Sequence, residues 1–285
     1  MAQTVKIISD STCDLSKDLL EKYDISILPL HILLGETEYR DGVDITPEEI
    51  FRWSDENKTT PKTSAPSMTE AMEVMKPFLD EGREIICFSI SDSMSTSGNV
   101  MRLAAEELEA SDKVTVINSA NLSTGIGLQV IQAALLSAEG KTRAQITAAI
   151  EEIRPRVRAS FTVDTLTYLY RGGRCNAVAA LAGTMLKLHP RIVVEDGAMD
   201  ASKKYRGKLS SVILSYTKDM EDDLKNAVPD RVFITHSGCD REIVESVRSY
   251  LESLGIFNEI LETRAGGVIS SHCGPGTLGA LFTEK

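Results

Sequence analysis

The chain has 285 residues, of which 42% are hydrophobic and 26% charged, a composition typical of a globular protein. Its net charge of −11 argues against binding to nucleic acid or to an anionic membrane surface, because both depend on an excess of Lys and Arg. No apolar stretch approaches the roughly 20 residues that cross a bilayer, so we predict no stable membrane insertion.

The five cysteines are an odd number at scattered spacings, and none forms a Cys-x-x-Cys pair. This pattern favours a reduced cytoplasmic interior over a disulfide framework. The first residues lack the basic segment and apolar stretch of a secretory signal. We therefore predict a cytoplasmic protein.

The first half of the chain alternates apolar runs with helical patterns. The runs at 5–8, 25–34, 84–90 and 114–118 predict four strands, and helical patterns follow the first, third and fourth of them. Strands that alternate with helices predict a parallel sheet with covered faces. Three of the runs end in loops rich in Ser, Thr, Asp and Asn, at the edge where open α/β sheets bind ligands.

The second of these loops, residues 89–98, is called the serine loop here, because serines occupy every second position from Ser89 to Ser97. Side chains alternate along an extended chain, so several hydroxyls should point the same way. The helix predicted to follow offers free N–H groups and the positive end of its dipole. A helix cap in a solvated loop explains any one serine, but five together favour a cradle for a carboxylate or phosphate.

Residues 41–66 interrupt the alternation. Thr46 followed by Pro47 predicts a helix start, with proline in the first turn. We interpret this segment as a long excursion that carries Thr63 and Ser64 back toward the edge of the sheet.

The second half of the chain predicts a further α/β unit, and we place the boundary near Pro155, giving domains 1–155 and 156–285. Strands are predicted at 160–163, 192–195, 232–234 and 259–261. Asp196-Gly197 is typical of a hairpin turn. Helices are predicted at 177–188, 212–228 and 242–254.

Two basic segments stand out in this acidic chain. Arg171-Gly172-Gly173-Arg174 places two fixed charges on a glycine turn, a geometry suited to phosphate or acidic partners. The segment 203–208 adds a cluster that contains Arg206. Each is equally explained by a solvated turn or face, so both explanations stay open.

Several segments in a fixed order resemble the DegV family of bacterial fatty-acid-binding proteins, over essentially the whole chain. The segments are Ser-Asp-Ser-Thr-Cys-Asp-Leu at 9–15, Thr-Ser-Ala-Pro-Ser at 63–67, Ile-Ser-Asp-Ser-Met-Ser at 90–95, Arg-Gly-Gly-Arg at 171–174, and His-Cys-Gly-Pro-Gly-Thr-Leu-Gly at 272–279. The resemblance implies a two-domain α/β fold. An N-terminal parallel-sheet domain carries the head-group loops, and a C-terminal domain with a mixed sheet completes a tunnel for one long-chain fatty acid.

The resemblance also implies a partner and site residues. Members of the FakB type present the fatty acid to a separate kinase subunit, related to dihydroxyacetone kinases, which converts the carboxylate to an acyl phosphate for phospholipid synthesis. By this resemblance the carboxylate is bound by Thr63 and Ser95, with Ser93, Ser64 and His272 nearby. The same resemblance gives a partner-facing or phosphate-contacting role to the arginines Arg174, Arg206 and Arg171.

This chain departs from the family pattern at Asp92, which would repel a bound carboxylate unless it turns away. The departure leaves open whether Ser93 or Ser95 is the main head-group ligand. Lys62, beside Thr63, is a candidate to offset the charge.

We therefore expect a carrier with no catalytic residue, metal or cofactor of its own. His236 and His272, each close to a cysteine, could supply zinc ligands, but their spacings do not match a structural zinc site. A serine with His272 and Asp10 could form a hydrolase of small esters or acyl phosphates, although no Gly-x-Ser-x-Gly elbow is present. A lipid sensor without a kinase partner is a third alternative.

Overall fold

The computed structural model describes residues 5–175 and 188–285. Its strands are β1 Val5–Asp10, β2 Ile25–Leu28, β3 His31–Leu34, β4 Thr37–Arg40, β5 Lys62–Ser64, β6 Glu84–Ser89, β7 Val114–Asn118, β8 Val157–Thr162, β9 Leu188–Glu195, β10 Ala198–Arg206, β11 Ala227–Ser237, β12 Glu259–Arg264 and β13 Thr277–Glu284. Its described helices are α1 Lys17–Lys22, α2 Pro47–Asn57, α3 Met68–Asp80, α4 Ser97–Glu107, α5 Thr124–Ala138, α6 Arg143–Ile153, α7 Thr167–Gly172, α8 Leu209–Lys218, α9 Glu221–Lys225, α10 Arg241–Leu254 and α11 Gly267–Cys273. None of these helices is both long and apolar enough to span a bilayer.

The N-terminal half is built on the predicted parallel sheet, with strand order β2-β1-β6-β7. All six residues of β1 are buried, as expected for a central strand covered on both faces. The carboxyl ends of β1, β6 and β7 lie along one edge, so the polar loops that follow them are neighbours. The predicted gathering of these loops is confirmed.

The apolar run at 25–34 was predicted as one strand, but the structure divides it into two. Ile25–Leu28 joins the parallel sheet, whereas His31–Leu34 pairs antiparallel with β4 and β5 in a separate three-stranded sheet. Pro29 lies at the break, where it cannot donate a ladder hydrogen bond. The excursion predicted at 41–66 contains α2 and β5, and β5 joins this small sheet and returns Thr63 to the edge of the parallel sheet.

The C-terminal half forms a six-stranded mixed sheet with order β10-β9-β8-β13-β11-β12. Among the described strands of this sheet, only β11 and β12 pair parallel. The predicted hairpin turn joins β9 to β10 at Asp196 (φ 48°) and Gly197 (φ 79°), both left-handed as such turns require. One helix was predicted at 212–228, but the structure has two, α8 and α9. The second ends at Lys225, and β11 begins at Ala227.

Two further sequence predictions are not decided by the described residues. The helix predicted at 177–188 falls outside the described residues except for Leu188, which begins β9. A 3-10 turn at Arg154–Arg156 connects α6 to β8. The division into domains 1–155 and 156–285 at this point stays a prediction.

Helix α5 lies between the two large sheets and joins their cores. Eleven of its fifteen residues are buried, and it packs against β1 on one side and β8 and β13 on the other. A helix that is apolar all round is expected in a protein interior. Burial of each large side chain contributes about 1.5–3 kcal/mol, so this interface holds the two halves together around one shared core.

Candidate functional site

A cavity of about 420 Å³ lies between the edge of the parallel sheet, the three-stranded sheet and α11. This volume is within the roughly 300–1,000 Å³ usual for small-molecule sites. Its apolar wall consists of Leu30, Ile90, Met94, Leu122, Met199, Val268, Ile269 and Cys273, with Ala65. Its polar end consists of Thr63, Ser64, Asp92, Ser93, Ser95, Thr96, Arg174 and His272. The structure thus brings together all five predicted head-group residues and Arg174.

A second cavity, of only about 20 Å³, continues the apolar end. It shares Leu122, Ile269 and Cys273 with the larger cavity and is bordered by Phe161 and Leu281 of the mixed sheet. The two neighbouring spaces outline a path from the hydroxyls of the polar end toward the mixed sheet. Such a path fits a ligand with one polar end and a long apolar body.

Thr63 and His272 form the centre of the polar end. Thr63, on β5, lies with its Oγ1 2.8 Å from Nε2 of His272, which belongs to α11 and is 209 residues away in sequence. Removal of the imidazole from water, with a smaller effect from the Arg174 charge, lowers the pKa of His272 to about 4. The ring is therefore neutral near pH 7. Its buried Nδ1 has no hydrogen-bond partner within the described residues.

The depressed pKa of His272 should be visible in solution. In an NMR titration of histidine ring signals, we expect His272 to stay neutral until about pH 4, against an ordinary value of 6.5. Because the unfolded chain binds the proton more readily in this range, the contribution of His272 to stability falls as pH drops from about 6.5 to 4. The difference in unfolding free energy between wild type and His272→Gln should shrink over that range. A His272 titration near 6.5 would contradict this assignment.

The Arg-Gly-Gly-Arg segment has a structural reason for both glycines. A Cβ on Gly172 would lie 2.4 Å from His272 Nδ1, so only glycine allows α7 to approach the ring. Gly173 (φ 67°) ends α7 in the left-handed conformation. The turn then directs the exposed Arg174 to the rim of the cavity, where it donates to the carbonyl of Gly172 at 2.6 Å.

The other two predicted arginines, Arg171 and Arg206, are not among the residues that line the cavity. Arg171 is exposed and its guanidinium lies 3.5 Å from the carbonyl oxygen of Lys58. Arg206 is exposed at the end of the edge strand β10. Among the three, the geometry associates Arg174 alone with the cavity rim.

The serines of the serine loop have different partners. Ser95 Oγ accepts from the N–H of Ser97 at 3.2 Å, so its own hydrogen remains for a ligand. Ser91 and Ser93 instead donate to a single acceptor, the carbonyl oxygen of Gly197, at 2.7 and 2.5 Å. The β9–β10 hairpin of the C-terminal half is thereby attached to the serine loop. This difference favours Ser95 over Ser93 as the head-group ligand.

Asp92, the departure from the family pattern, turns toward α4. Its carboxylate pairs with Arg102 at 3.0 Å, and its side chain is 42% exposed. The charge is therefore offset by Arg102, which sequence analysis did not predict, rather than by Lys62, which is exposed.

Sequence analysis considered Asp10 only as a possible triad member and missed the role of buried carboxylates in supporting the site. Asp10 accepts from Ser97 Oγ at 2.5 Å and from the N–H of Ile90 at 2.9 Å, so it fixes both ends of the serine loop. Asp14 and Asp41 are also buried, and burial raises the pKa of all three carboxyls. An available signal was the position of Asp10 and Asp14 within six residues of the strand predicted at 5–8.

The structure also bears on the alternatives. Asp10 has Thr12, Ser97 and Ile90 as its hydrogen-bond partners, and His272 has Thr63, so in the described chain Asp10 and His272 are not bonded to each other as a hydrolase triad requires. Within residues 5–175 and 188–285, no group of three or more His, Cys, Asp or Glu side chains is arranged to hold a metal ion.

The two sheets and α11 surround a cavity that is polar at its rim and apolar inside, which defines the class of α/β proteins with an interior cavity of amphipathic character. The chain belongs to the DegV family, since the model described as "Uncharacterised protein, DegV family" matches residues 4–285. The predicted family and fold class are thereby confirmed. A DegV domain-containing protein of Clostridium perfringens is 32% identical over 99% of both chains.

Solved structures agree with this assignment. A DegV family protein from Thermus thermophilus, described by its fatty acid binding, superimposes with a TM-score of 0.91 at 31% identity, covering 99% of this chain and 100% of that one. A stearic-acid-binding protein from Eubacterium ventriosum has a TM-score of 0.85 at 32% identity, covering 99% and 98%.

Proposed function

We propose that this protein binds one long-chain fatty acid, with the carboxylate among the hydroxyls of the cavity and the tail in its apolar end. The observation that supports this most is the pair of neighbouring cavities, of which the larger has the Thr63–His272 pair at its polar end and both are bordered by Ile269. Two relatives at 31% and 32% identity are described as binding fatty acids.

The tail supplies the affinity in this proposal. Burial of one methylene is worth about 0.8 kcal/mol, so a dozen would contribute on the order of 10 kcal/mol before the costs of association. The apolar wall residues, mostly aliphatic and methionine side chains, make no polar demand on such a chain.

The polar end has a different task, because an unpaired buried carboxylate costs several kcal/mol or takes up a proton. Ser95 Oγ has a hydrogen to donate. When Nε2 of His272 carries the ring proton, it donates to Thr63 Oγ1, and the threonine hydroxyl then keeps its own hydrogen for the ligand. These neutral donors would hold the carboxylate without a buried cation. They would also leave it available to a reagent outside the cavity.

We further propose that a separate kinase subunit, related to dihydroxyacetone kinases, phosphorylates the presented carboxylate, and that this carrier is itself neither a catalyst nor dependent on a cofactor. The exposed guanidinium of Arg174 at the cavity rim supports a contact with that partner or with its phosphate. A cytoplasmic location accords with this role.

Mass spectrometry of lipids released by denaturing the purified protein tests the binding proposal. We expect about one long-chain fatty acid per chain, and uptake of added oleate by delipidated protein. The absence of both co-purified fatty acid and oleate uptake would refute it.

Arg174→Ala separates binding from presentation. Because Arg174 is exposed and its bond is to a backbone carbonyl, we expect lipid binding to stay within about twofold of wild type, as for surface substitutions generally. Acyl-phosphate formation with the kinase subunit should fall at least about tenfold, the effect of one charge-assisted hydrogen bond. Arg206→Ala is the comparison for an arginine outside the cavity rim. Loss of lipid binding by Arg174→Ala would contradict the separate roles.

A further inference from the structure

Helix α11 forms much of the cavity wall but begins without a cap of its own. It contributes Val268, Ile269, His272 and Cys273 to the cavity, and its N-cap residue is Gly266, which has no side chain to offer. The first N–H groups of any helix have no partner within the helix. For α11, the acceptors come from distant parts of the chain.

Two buried carboxylates of the N-terminal half accept from this helix start. Asp14 Oδ1 accepts from the N–H of Gly266 at 2.8 Å, and Asp41 Oδ1 accepts from the N–H of Gly267 at 2.7 Å. These pairs are 252 and 226 residues apart in sequence. A serine or aspartate in the helix itself would satisfy the same groups without burying two acids from elsewhere. The arrangement therefore does more than cap a helix, because it joins α11 to the other half of the protein.

The glycines at the helix start make room for these carboxylates. A Cβ on Gly267 would lie 2.9 Å from Asp41 Oδ1 and 2.5 Å from Ile32 Cδ1, and one on Gly266 would lie 3.1 Å from Asp14 Oδ1. The start of α11 is thus shaped to receive groups from the N-terminal half, and the helix has little freedom to slide along its axis.

Asp41 also connects α11 to the opposite wall of the cavity. Its Oδ2 accepts from Ser11 Oγ at 2.8 Å, and Ser11 Oγ accepts from the N–H of Leu30 at 3.1 Å. Leu30 lines the cavity, and Asp41 directly follows β4. The three-stranded sheet consequently holds α11 near both ends, through Asp41 at the start and through Thr63 at His272.

We propose that Asp41, assisted by Asp14, is a positioning residue for His272: it fixes the axial position of α11 and so sets the contact of the histidine ring with Thr63. The consequence for fatty acid binding rests on the proposed function, whereas the placement of His272 does not.

Asp41→Asn tests this inference, because asparagine keeps the size of the side chain but replaces one of the two oxygens that accept from Gly267 and Ser11 with an amide donor. In ligand-free protein labelled on its four histidines, we expect the His272 ring signals to shift and its titration to move up from about pH 4. Oleate affinity should fall by about tenfold or more, the effect of one misplaced hydrogen bond. Asp14→Asn should act in the same direction and serves as the second variant if Asp41→Asn does not fold.

The matched control is Thr142→Ala, which removes the N-cap of α6 far from the cavity. It should lower the free energy of unfolding by an amount comparable to the loss in Asp41→Asn, while leaving the His272 signals and oleate affinity unchanged. Wild-type His272 signals in both folded aspartate variants would overturn the inference, as would an equal shift in Thr142→Ala. If wild type fails to bind oleate, the proposed function fails, and the ligand-free spectra still decide the role of Asp41.

Discussion

Ile269→Trp should weaken oleate binding by a factor of about 10² or more in a protein that remains folded. Ile269 is buried and borders both cavities, so a larger side chain there closes the path between them. Each methylene that can no longer be buried costs about 0.8 kcal/mol, so exclusion of four or five should reduce affinity by a factor of 10² or more.

Titration with oleate and with decanoate measures this effect. The shorter acid, whose tail ends earlier along the path, should lose less affinity than oleate. Ile269→Val, which enlarges the space, is the control and should retain binding. Since overpacking costs about 1–3 kcal/mol, stability is measured alongside, and oleate affinity at the wild-type level in Ile269→Trp would contradict the proposed tail path.

Gly197→Ala should destabilise the protein more than the same substitution at a turn glycine that has no neighbouring atoms around its Cβ position. Gly197 has φ 79°, and a Cβ there would lie 2.6 Å from Ser91 Oγ. The left-handed backbone costs an L-residue about 1–2 kcal/mol. Displacement of the hairpin would also break the bonds from Ser91 and Ser93, worth about 0.5–1.5 kcal/mol each.

Gly140→Ala isolates the backbone cost, because Gly140 has nearly the same φ, 78°, and nothing within 4 Å of its Cβ position. Urea unfolding should show Gly197→Ala losing at least about 1 kcal/mol more than Gly140→Ala, from the clash and the broken bonds. Adding Ser91→Ala removes the clashing oxygen and should recover part of that difference. Equal losses in the two glycine variants would show that the hairpin contact contributes little.

The parallel sheet and its polar edge could be predicted from sequence because both depend on local patterns. Apolar runs gave β1, β6 and β7, and the alternating serines marked the loop after β6. The run at 25–34 was harder, since nothing local distinguishes one long strand from two strands that join different sheets. Pro29 is the one local indication in this run that the strand breaks there.

The partners within the site could not be predicted in the same way. The contacts of Thr63 with His272, of Ser91 with Gly197 and of Asp41 with Gly267 join residues separated by 209, 106 and 226 positions. Such contacts depend on how the two halves pack. The resemblance to the family supplied Thr63, Ser95 and His272, whereas the supporting carboxylates became visible only with the fold.

A crystal structure of the protein loaded with oleate tests the central claim most directly. We expect the carboxylate within hydrogen-bond distance of Thr63 and Ser95, and the tail running past Leu122 and Ile269 toward Cys273. A carboxylate at the opposite end of the path, or oleate bound elsewhere with this cavity filled by water, would contradict the account.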